Sequence, residues 1–263
     1  MAYQFIKYEK KDRIAYLTIN RPEVSNALHP PASTELYDAW MDFKNDPDVW
    51  VAIINGVGDK AFCSGNDLKY TANVMGGRSG LGTMWHSKGG FGGLCLVTDI
   101  YKPIIAAVHG YALGGGMELA LACDIIVASE DAKLGLMEPR RGRGASTGVP
   151  RLASQVPLKV AMGMLLTARP FSAQDCLRYG LVNEVVPRDQ LMAAANRWAE
   201  EILECAPLSV QGAKQTAMES LHAPLDAAIR AAYPLMEIAR SSEDNIEGAV
   251  AFQEKRKPVW KGR

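Results

Sequence analysis

Three consecutive glycines between two apolar runs constrain this chain more than any other feature. Residues 103–108 have the character of a buried strand, residues 114–116 are the glycines, and residues 117–123 have the character of a helix. Glycine has no Cβ, so such a turn can let a ligand approach the main chain. The first amides of a helix have no intrahelical partner and attract negative charge. The turn therefore predicts either a site for a ligand oxygen or a close packing of helix on sheet.

The segments before this turn alternate between strand and helix. Residues 5–8 and 14–19 predict a hairpin, and residues 51–57 predict a buried strand. Between them, Leu36, Trp40 and Phe43 recur at helical spacing, which predicts an amphipathic helix over residues 32–45 with Ser33 as its N-cap. The order strand, helix, strand favours parallel pairing through a crossover.

The rest of the chain divides into a glycine-rich stretch and a helical region. Residues 71–93 predict a mobile loop or lid, and Gly89–Gly93 resembles a nucleotide-binding loop only superficially, because it lacks the required spacing. Helices are predicted over 149–154, 158–166, 191–205, 208–220, 225–241 and 244–252, and a short return strand over 180–187. We therefore predict an α/β core over residues 1–190 and a helical C-terminal region over residues 191–263.

Composition excludes several classes of function. Lysine plus arginine and aspartate plus glutamate balance at 29 each, which gives no electrostatic case for nucleic acid or an anionic membrane surface. The five cysteines form no Cys-x-x-Cys pair and the four histidines are isolated, which argues against a zinc site and favours free thiols. No signal sequence or membrane span is evident, so a soluble cytoplasmic protein is expected.

Three loops that each follow a predicted strand carry the candidate chemistry: residues 63–69, 113–118 and 136–144. In open α/β folds such loops gather into one site. Together with Asn20-Arg-Pro22, Ala61-Phe-Cys-Ser-Gly-Asn-Asp-Leu68 and His109-Gly-Tyr-Ala-Leu-Gly-Gly-Gly-Met-Glu118, the sequence resembles the crotonase (enoyl-CoA hydratase/isomerase) family. The similarity continues through residues 168–173, 180–186 and 247–257, and therefore covers nearly the whole chain.

The resemblance implies a crotonase-like spiral of repeated ββα units, with a C-terminal helical region that forms trimers or hexamers and closes the site. It also implies an acyl-CoA thioester substrate. The oxyanion hole of the family would be formed here by the backbone amides of Asn66 and Gly115. Such amides stabilise the enolate that forms on the thioester oxygen, by roughly 3–4 kcal/mol per donor in comparable sites. The side chain of Asn66 is either incidental or a contact for a polar acyl group.

Two glutamates match the acid–base pair of hydratases in the family. By motif position they are Glu118 and Glu138. We expect Glu118 to orient and activate water and Glu138 to deliver a proton to C2 of the substrate. The alternatives are that Glu118 only complements a helix N-terminus, and that Glu138 only pairs with the arginines that follow it.

The loop after Glu138 departs from the family pattern. Many hydratases have an apolar Gly/Pro-rich loop there, whereas this chain has Arg140, Arg141 and Arg143. Guanidinium groups close to Glu138 would favour its ionised form and weaken it as an acid. The arginines alternatively face solvent, a neighbouring subunit or CoA phosphates, or select a substrate with a carboxylate or other polar tail.

The resemblance also implies the residues that hold the CoA moiety. The expected substrate and CoA contacts are Val24, Ser64, Asn66, Asp67, Leu68, Lys69, Gly115 and Lys257. Lys257 could contact a phosphate of CoA, including a CoA bound to an adjoining subunit. A run of charged surface residues is the simpler interpretation of this lysine. No metal, flavin or nicotinamide cofactor is implied, because CoA enters as part of the substrate.

The leading functional prediction is a lyase that reversibly hydrates a 2-enoyl-CoA to a 3-hydroxyacyl-CoA, as in fatty acid metabolism. The alternatives are a Δ3,Δ2-enoyl-CoA isomerase, which needs one base, a dehydratase of a polar hydroxyacyl-CoA, and a catalytically silent acyl-CoA-binding protein. The presence of both glutamates argues against the isomerase.

Overall fold

A mostly parallel sheet forms the centre of the protein. The computed structural model describes residues 3–75 and 88–263. In this part of the chain the strands are β1 (Ile6–Lys11), β2 (Ile14–Ile19), β3 (Val51–Gly56), β4 (Ile104–Val108), β5 (Tyr111–Leu113), β6 (Ile125–Ser129), β7 (Lys133–Gly135), β8 (Phe171–Ser172) and β9 (Glu184–Val186). A six-stranded sheet has the spatial order β1-β2-β3-β4-β6-β9, and β5, β7 and β8 form a smaller sheet. Only β1 is antiparallel to its neighbour in the large sheet, so the predicted hairpin and the predicted parallel crossover are both present.

Helices cover the large sheet and extend beyond it. Their bounds are α1 (Pro30–Asn45), α2 (Leu68–Met75), α3 (Gly115–Leu121), α4 (Gly148–Gln155), α5 (Leu158–Thr167), α6 (Ala173–Arg178), α7 (Leu191–Leu203), α8 (Pro207–Ser220), α9 (Leu225–Arg230), α10 (Pro234–Arg240) and α11 (Glu243–Glu254). Among the described residues, none of these helices has the length and apolar character needed to cross a membrane.

Two hydrophobic clusters fix the helices to the two faces of the sheet. On one face, Trp40 and Phe43 of α1 are completely buried in a cluster that also contains Leu17 and Ile54. On the other face, Ala195 of α7 packs with alternate strand residues, which are Val51, Ile53, Ile105, Ala107 and Val127. All of β4 is buried, because this parallel strand is covered on both faces of the sheet. Its sequence is therefore a continuous apolar run. The first helix of the predicted C-terminal region thus packs directly on the sheet, and the proposed division at residue 190 stays a prediction.

The smaller sheet determines where the loops meet. β4 is followed by β5 and then α3, and β6 is followed by β7 and, after a loop, by α4. Isolated bridges from Ala61 to Gly110 and from Cys63 to Ala112 add the segment after β3 to this second layer. Strand, strand and helix therefore repeat, and each repeat delivers one loop to the same edge.

Several predicted boundaries were wrong for identifiable reasons. The N-cap of α1 is His29, whose Nδ1 accepts a hydrogen bond from the amide of Ala32, and Ser33 is buried inside the helix. Pro30 and Pro31 open this helix, where a missing N–H does no harm. The helix predicted over 225–241 is two helices because Pro234 begins the second of them.

The glycine-rich stretch is ordered where it is described. Residues 76–87 lie outside the described residues, and so does most of the predicted lid. At its end, Phe91–Gly93 form a buried 3-10 turn rather than part of a mobile loop. The carbonyl of Gly92 accepts a hydrogen bond from Trp40 Nε1 at 3.1 Å, which fixes this turn to α1.

Candidate active site

One cavity of about 590 Å³ brings the three predicted loops together. Its lining comes from the loop after Cys63, from the glycine turn before α3 and from the segment after β7. The lining residues are Ser64, Gly65, Asn66, Leu68, Phe91, Leu113, Gly114, Gly115, Glu118, Met137, Glu138, Arg140, Arg141, Arg143 and Gly144. Both glutamates, and both residues whose amides the sequence singles out, therefore line the same space.

The backbones that carry the two amides are in direct contact. A Cβ atom at Gly65 would lie 2.7 Å from the carbonyl oxygen of Leu113 and 3.3 Å from the nitrogen of Gly115, and Gly65 has φ +100°. Only glycine fits this approach and this conformation. Within residues 3–75 and 88–263, neither Asn66 nor Gly115 uses its amide for a backbone hydrogen bond. The side chain of Asn66 makes one long hydrogen bond, 3.4 Å to Thr71 Oγ1. Two adjacent amides are thus available to a ligand oxygen.

Glu118 is held rigidly from one side. It lies in the first turn of α3 and is 1% exposed. Its Oε1 accepts hydrogen bonds from Thr147 N at 3.0 Å, Thr147 Oγ1 at 2.7 Å and Gly148 N at 2.8 Å. Three donors on one oxygen fit a carboxylate, which only accepts. Its second oxygen has no partner among the described residues, and the side chain lines the cavity.

Glu138 is a different kind of carboxyl group. It opens a 3-10 turn, Glu138–Arg141, and its Oε2 is buried without a hydrogen-bond partner in the described part of the chain. Burial, with a smaller contribution from the charge of Glu118, raises the pKa of Glu138 to about 7. A Cβ atom at Gly114 would lie 3.0 Å from Glu138 Oε1, so the carboxyl group packs directly on the glycine turn. Such a group can hold and release a proton at neutral pH.

In the part of the chain that the structure describes, the arginines that follow Glu138 in the sequence do not pair with it, which agrees with the alternatives in which they face other groups. Among the described residues no salt bridge joins Glu138 to Arg140, Arg141 or Arg143, and the pKa of Glu138 is raised rather than lowered. Arg140 instead donates two hydrogen bonds to the carbonyl oxygen of Thr167, at 3.2 and 3.4 Å. This geometry therefore does not support the alternative that Glu138 serves only as an ion-pair partner.

The other expected substrate contacts divide into two groups. Ser64 and Leu68 line the cavity, whereas Val24, Asp67, Lys69 and Lys257 lie outside its lining. Asp67 forms a buried ion pair with Arg21 at 3.0 Å, and its Oδ1 accepts a hydrogen bond from Tyr70 N at the start of α2. The side chain of Asp67 is therefore occupied in shaping the loop. Lys257 is exposed, 3.7 Å from Glu204.

Sequence reasoning missed two residues of this site. The ring of Phe91 lines the cavity and lies so close to Gly115 that a Cβ atom there would come within 2.6 Å of it. A lone aromatic residue among four glycines is a signal that could have predicted a buried turn. Thr147, which holds Glu118, carries no comparable signal, because its role depends on the relative position of α3 and α4.

No group of three or more His, Cys, Asp or Glu side chains in the described ranges could hold a metal ion. Of the five cysteines, Cys63, Cys95, Cys123 and Cys176 are buried and unpaired. Burial raises the pKa of the Cys63 and Cys95 thiols to about 12, so neither is a ready nucleophile.

Comparison with known proteins gives one consistent answer. Residues 9–263 match the family model described as enoyl-CoA hydratase/isomerase. The chain is 40% identical to (E)-benzylidenesuccinyl-CoA hydratase of Thauera aromatica, with 98% of this chain and 99% of the relative covered. It is 38% identical to carnitinyl-CoA dehydratase of Proteus mirabilis (strain HI4320), with 99% of each covered. The crystal structure of an enoyl-CoA hydratase from Bacillus anthracis is similar with a TM-score of 0.91 and 32% identity, over 99% of this chain and 100% of that one.

These matches confirm the fold that the sequence predicts, a crotonase-type α/β fold, and the class of activity. The similar proteins are named hydratases or dehydratases of CoA thioesters, which are hydro-lyases. The family model covers almost the whole chain, and each of the two relatives is matched over 99% of its own length, so the assignment does not depend on a short motif. The chain belongs to the enoyl-CoA hydratase/isomerase, or crotonase, family, and it is an enzyme with hydratase- or dehydratase-type activity.

Proposed function

We propose that this enzyme adds water reversibly to the C2–C3 double bond of a 2-enoyl-CoA, with Glu118 and Glu138 as the acid–base pair. One observation carries the proposal: the two carboxyl groups line a single cavity, and their surroundings differ. Glu118 is fixed by three donors on one oxygen, and Glu138 has a pKa raised to about 7 by burial. Carboxyl groups with such different environments are suited to opposite roles.

The proposed chemistry begins at the thioester. The carbonyl oxygen of the substrate accepts hydrogen bonds from the amides of Asn66 and Gly115, which stabilise the enolate that forms when water attacks C3. Each such donor contributes roughly 3–4 kcal/mol in comparable sites. The contact between Gly65 and Gly115 supports this pairing, because it holds the two loops at a fixed separation.

The protons are then accounted for by the two glutamates. The free oxygen of Glu118 accepts a proton from the water that attacks C3, and protonated Glu138 delivers a proton to C2. After one turnover Glu118 carries a proton and Glu138 is ionised, and exchange with solvent restores the starting state. Dehydration runs the same steps backwards, with Glu138 as the base. The reaction requires no cofactor, so activity should survive dialysis against a metal chelator.

The names of the relatives support water addition or removal but leave the acyl group open. One is named for a benzylidenesuccinyl thioester and the other for a carnitinyl thioester. We propose that the acyl-CoA enters past Leu68, with Ser64, Asn66 and Gly115 at the thioester. Contacts of Val24, Lys69 and Lys257 with the CoA moiety remain part of the proposal.

We further propose a homotrimer, or a hexamer of two trimers, built through residues 191–263. Large apolar side chains in this region are exposed in the single chain, with Phe252 at 87%, Leu225 at 76% and Ile229 at 74%. Such a surface is typical of an interface between subunits. Light scattering coupled to size-exclusion chromatography measures the mass directly, and a monomer would contradict the proposal.

The activity test uses crotonyl-CoA and the loss of its enoyl absorbance. We expect turnover by the wild-type enzyme, and loss of at least about 100-fold in kcat for both Glu118→Gln and Glu138→Gln, in line with removal of a general acid or base. The matched control is Glu130→Gln, which removes an exposed carboxylate. Full hydration by Glu118→Gln would contradict the assigned roles. Double-bond migration in a 3-enoyl-CoA with no hydration of any 2-enoyl-CoA would instead indicate the isomerase.

A further inference from the structure

Positive charge on one wall of the cavity has no role in the water chemistry. Arg140, Arg141 and Arg143 all line the cavity on the segment that follows Glu138. In the described ranges, no carboxylate lies within salt-bridge distance of any of the three, although many other arginines of this chain form ion pairs. An unpaired guanidinium beside a substrate cavity is a site for an anion, because its donors match the geometry of a carboxylate.

The three arginines are not equivalent. Arg140 donates to the carbonyl oxygen of Thr167, the last residue of α5, and this contact supports the loop. Arg141 and Arg143 make no side-chain hydrogen bond or ion pair within residues 3–75 and 88–263. The anion-binding capacity of the wall therefore belongs to Arg141 and Arg143.

The charge balance of the cavity also favours an anion. Its lining contains two carboxyl groups, Glu118 and Glu138, against the three guanidinium groups. Because the pKa of Glu138 is about 7, this residue is charged only part of the time at neutral pH. The space next to the reacting carbons is therefore net positive when the enzyme is ready for hydration.

The position of the arginines indicates which part of the substrate they meet. Glu138 and Arg141 are the two ends of one 3-10 turn, and Glu138 is the group proposed to act at C2. Since Arg141 and Arg143 line the same cavity as Glu138, we infer that they meet the acyl group. The phosphates of CoA are separated from the thioester by the whole length of pantetheine, so they are poorly placed for the same two side chains.

We propose that the acyl group of the substrate carries a carboxylate, which Arg141 and Arg143 bind. This inference rests on the proposed function, and it narrows the substrate class to thioesters of dicarboxylic acids in which the second carboxyl group is free. An acyl group that ends in a quaternary ammonium group would be repelled by the same wall, and a purely aliphatic one would leave the guanidinium groups without a partner.

The test separates binding from turnover. Adipoyl-CoA and its monomethyl ester have no double bond, so calorimetry of these two ligands measures recognition of the carboxylate whether or not the enzyme hydrates anything. We expect the wild-type enzyme to bind adipoyl-CoA at least about tenfold more tightly than the ester, the ratio expected for a charge-assisted hydrogen bond. We expect the ratio to approach one in the Arg141→Gln/Arg143→Gln double variant.

The matched control is Arg178→Gln, which removes the same charge from an exposed position on α6 outside the cavity lining. Free CoA is the third ligand, because it carries all the phosphates and no acyl group. Equal binding of the acid and the ester by the wild-type enzyme overturns the inference. So does an equal loss of affinity for acid, ester and free CoA in the double variant, which would assign the arginines to the phosphates.

Turnover of 2-hexenedioyl-CoA and its monomethyl ester completes the experiment. Hydration of the diacid thioester with a higher kcat/KM than the ester supports both proposals. Tight, arginine-dependent binding of adipoyl-CoA with no hydration of either enoyl thioester would sustain the inference and reject the hydratase proposal. Efficient hydration of both thioesters at equal kcat/KM would sustain the hydratase proposal and reject the inference that the arginines bind a carboxylate.

Discussion

Thr147 donates both its hydroxyl group and its amide to the same oxygen of Glu118, at 2.7 and 3.0 Å. The residue lies directly before α4, whereas Glu118 belongs to α3. The two helices are therefore coupled through one carboxylate oxygen, and the second oxygen is left for the reaction. This relationship makes Thr147 a positioning residue for the proposed base.

Replacement of Thr147 by valine should reduce kcat by about tenfold, because one hydrogen bond to a charged group is lost while the shape of the side chain is kept. KM should change less, since Thr147 is not part of the cavity lining. Steady-state kinetics with crotonyl-CoA measure both constants. Thr147→Ser should restore kcat, and Thr34→Val, which removes an exposed hydroxyl group from α1, is the matched control. An unchanged kcat in Thr147→Val would show that the hydroxyl group does not position Glu118.

The pKa of Glu138, raised to about 7 by burial, predicts a loss of activity on the alkaline side of neutrality. Hydration needs Glu138 protonated while Glu118 is ionised, so kcat/KM for the enoyl-CoA should fall about tenfold per pH unit above about 7. Dehydration starts from the same total number of protons on the two carboxyl groups, and the overall reaction releases no proton, so kcat/KM for the hydroxyacyl-CoA should fall in parallel. Both profiles are measured between about pH 5 and 9, with roughly one point per half unit. A kcat/KM that stays constant between about pH 7 and 9 would contradict the assigned role of Glu138.

Replacement of Glu138 by glutamine should stabilise the protein at alkaline pH. The folded-state pKa lies above the ordinary value of 4.5, so the folded state holds the proton more tightly than the unfolded state, and stability is lost as pH rises from about 4.5 to about 7. Above this window the ionised, buried carboxylate destabilises the fold by about 1–3 kcal/mol. Urea unfolding at fixed protein concentration should show a stabilised variant at pH 8 and no difference near pH 4.5. Glu130→Gln provides the comparison, and a variant less stable than wild type at pH 8 would refute the prediction.

Replacement of Gly65 by alanine should impair catalysis without changing the charge of the site. The new Cβ would lie 2.7 Å from the carbonyl oxygen of Leu113, and φ is +100°, so the two loops must separate. Displacement of one donor from an oxyanion site lowers kcat by about 100-fold or more. Gly163→Ala is a matched control, because an added Cβ atom would meet no described atom within 4 Å beyond the adjacent backbone of its own helix, and its place in α5 favours alanine by about 1 kcal/mol. Gly65→Ala with wild-type kcat would show that the separation of the loops is not critical.

The sequence predicted the large sheet well and the small one poorly. Strands such as β4 are buried on both faces, and their unbroken apolar runs are visible directly. Tyr111–Leu113, Lys133–Gly135 and Phe171–Ser172 are only two or three residues long, so no period can be recognised in them. The N-cap at His29 was missed for another reason: an imidazole nitrogen accepts there in place of the more frequent hydroxyl group.

The site shows the same division between local and long-range information. Glu118 and Glu138 were singled out because they match the motif positions of the two glutamates of the family. The raised pKa of Glu138 fits the acid role expected for it, and the opposing effect that close arginines would have is not present, because no arginine pairs with it in the described part of the chain. Side chains that are neighbours in sequence along a 3-10 turn point in different directions. Burial is therefore the largest influence on the pKa of Glu138. Thr147 could only be found once the packing of α3 against α4 was known, whereas Phe91 stands among glycines that mark it in the sequence.

Because position 116 is a glycine, its contact with another segment has a consequence for the folding of the enzyme. A Cβ atom at this position would come within 1.9 Å of the carbonyl oxygen of Cys63, so two segments far apart in the sequence touch through their main chains alone. Contacts that span such a distance form late, because the intervening chain must already be arranged. Recovery of turnover in a refolding experiment should consequently lag behind recovery of helical signal, and enzyme assays of this chain report completion of the entire fold.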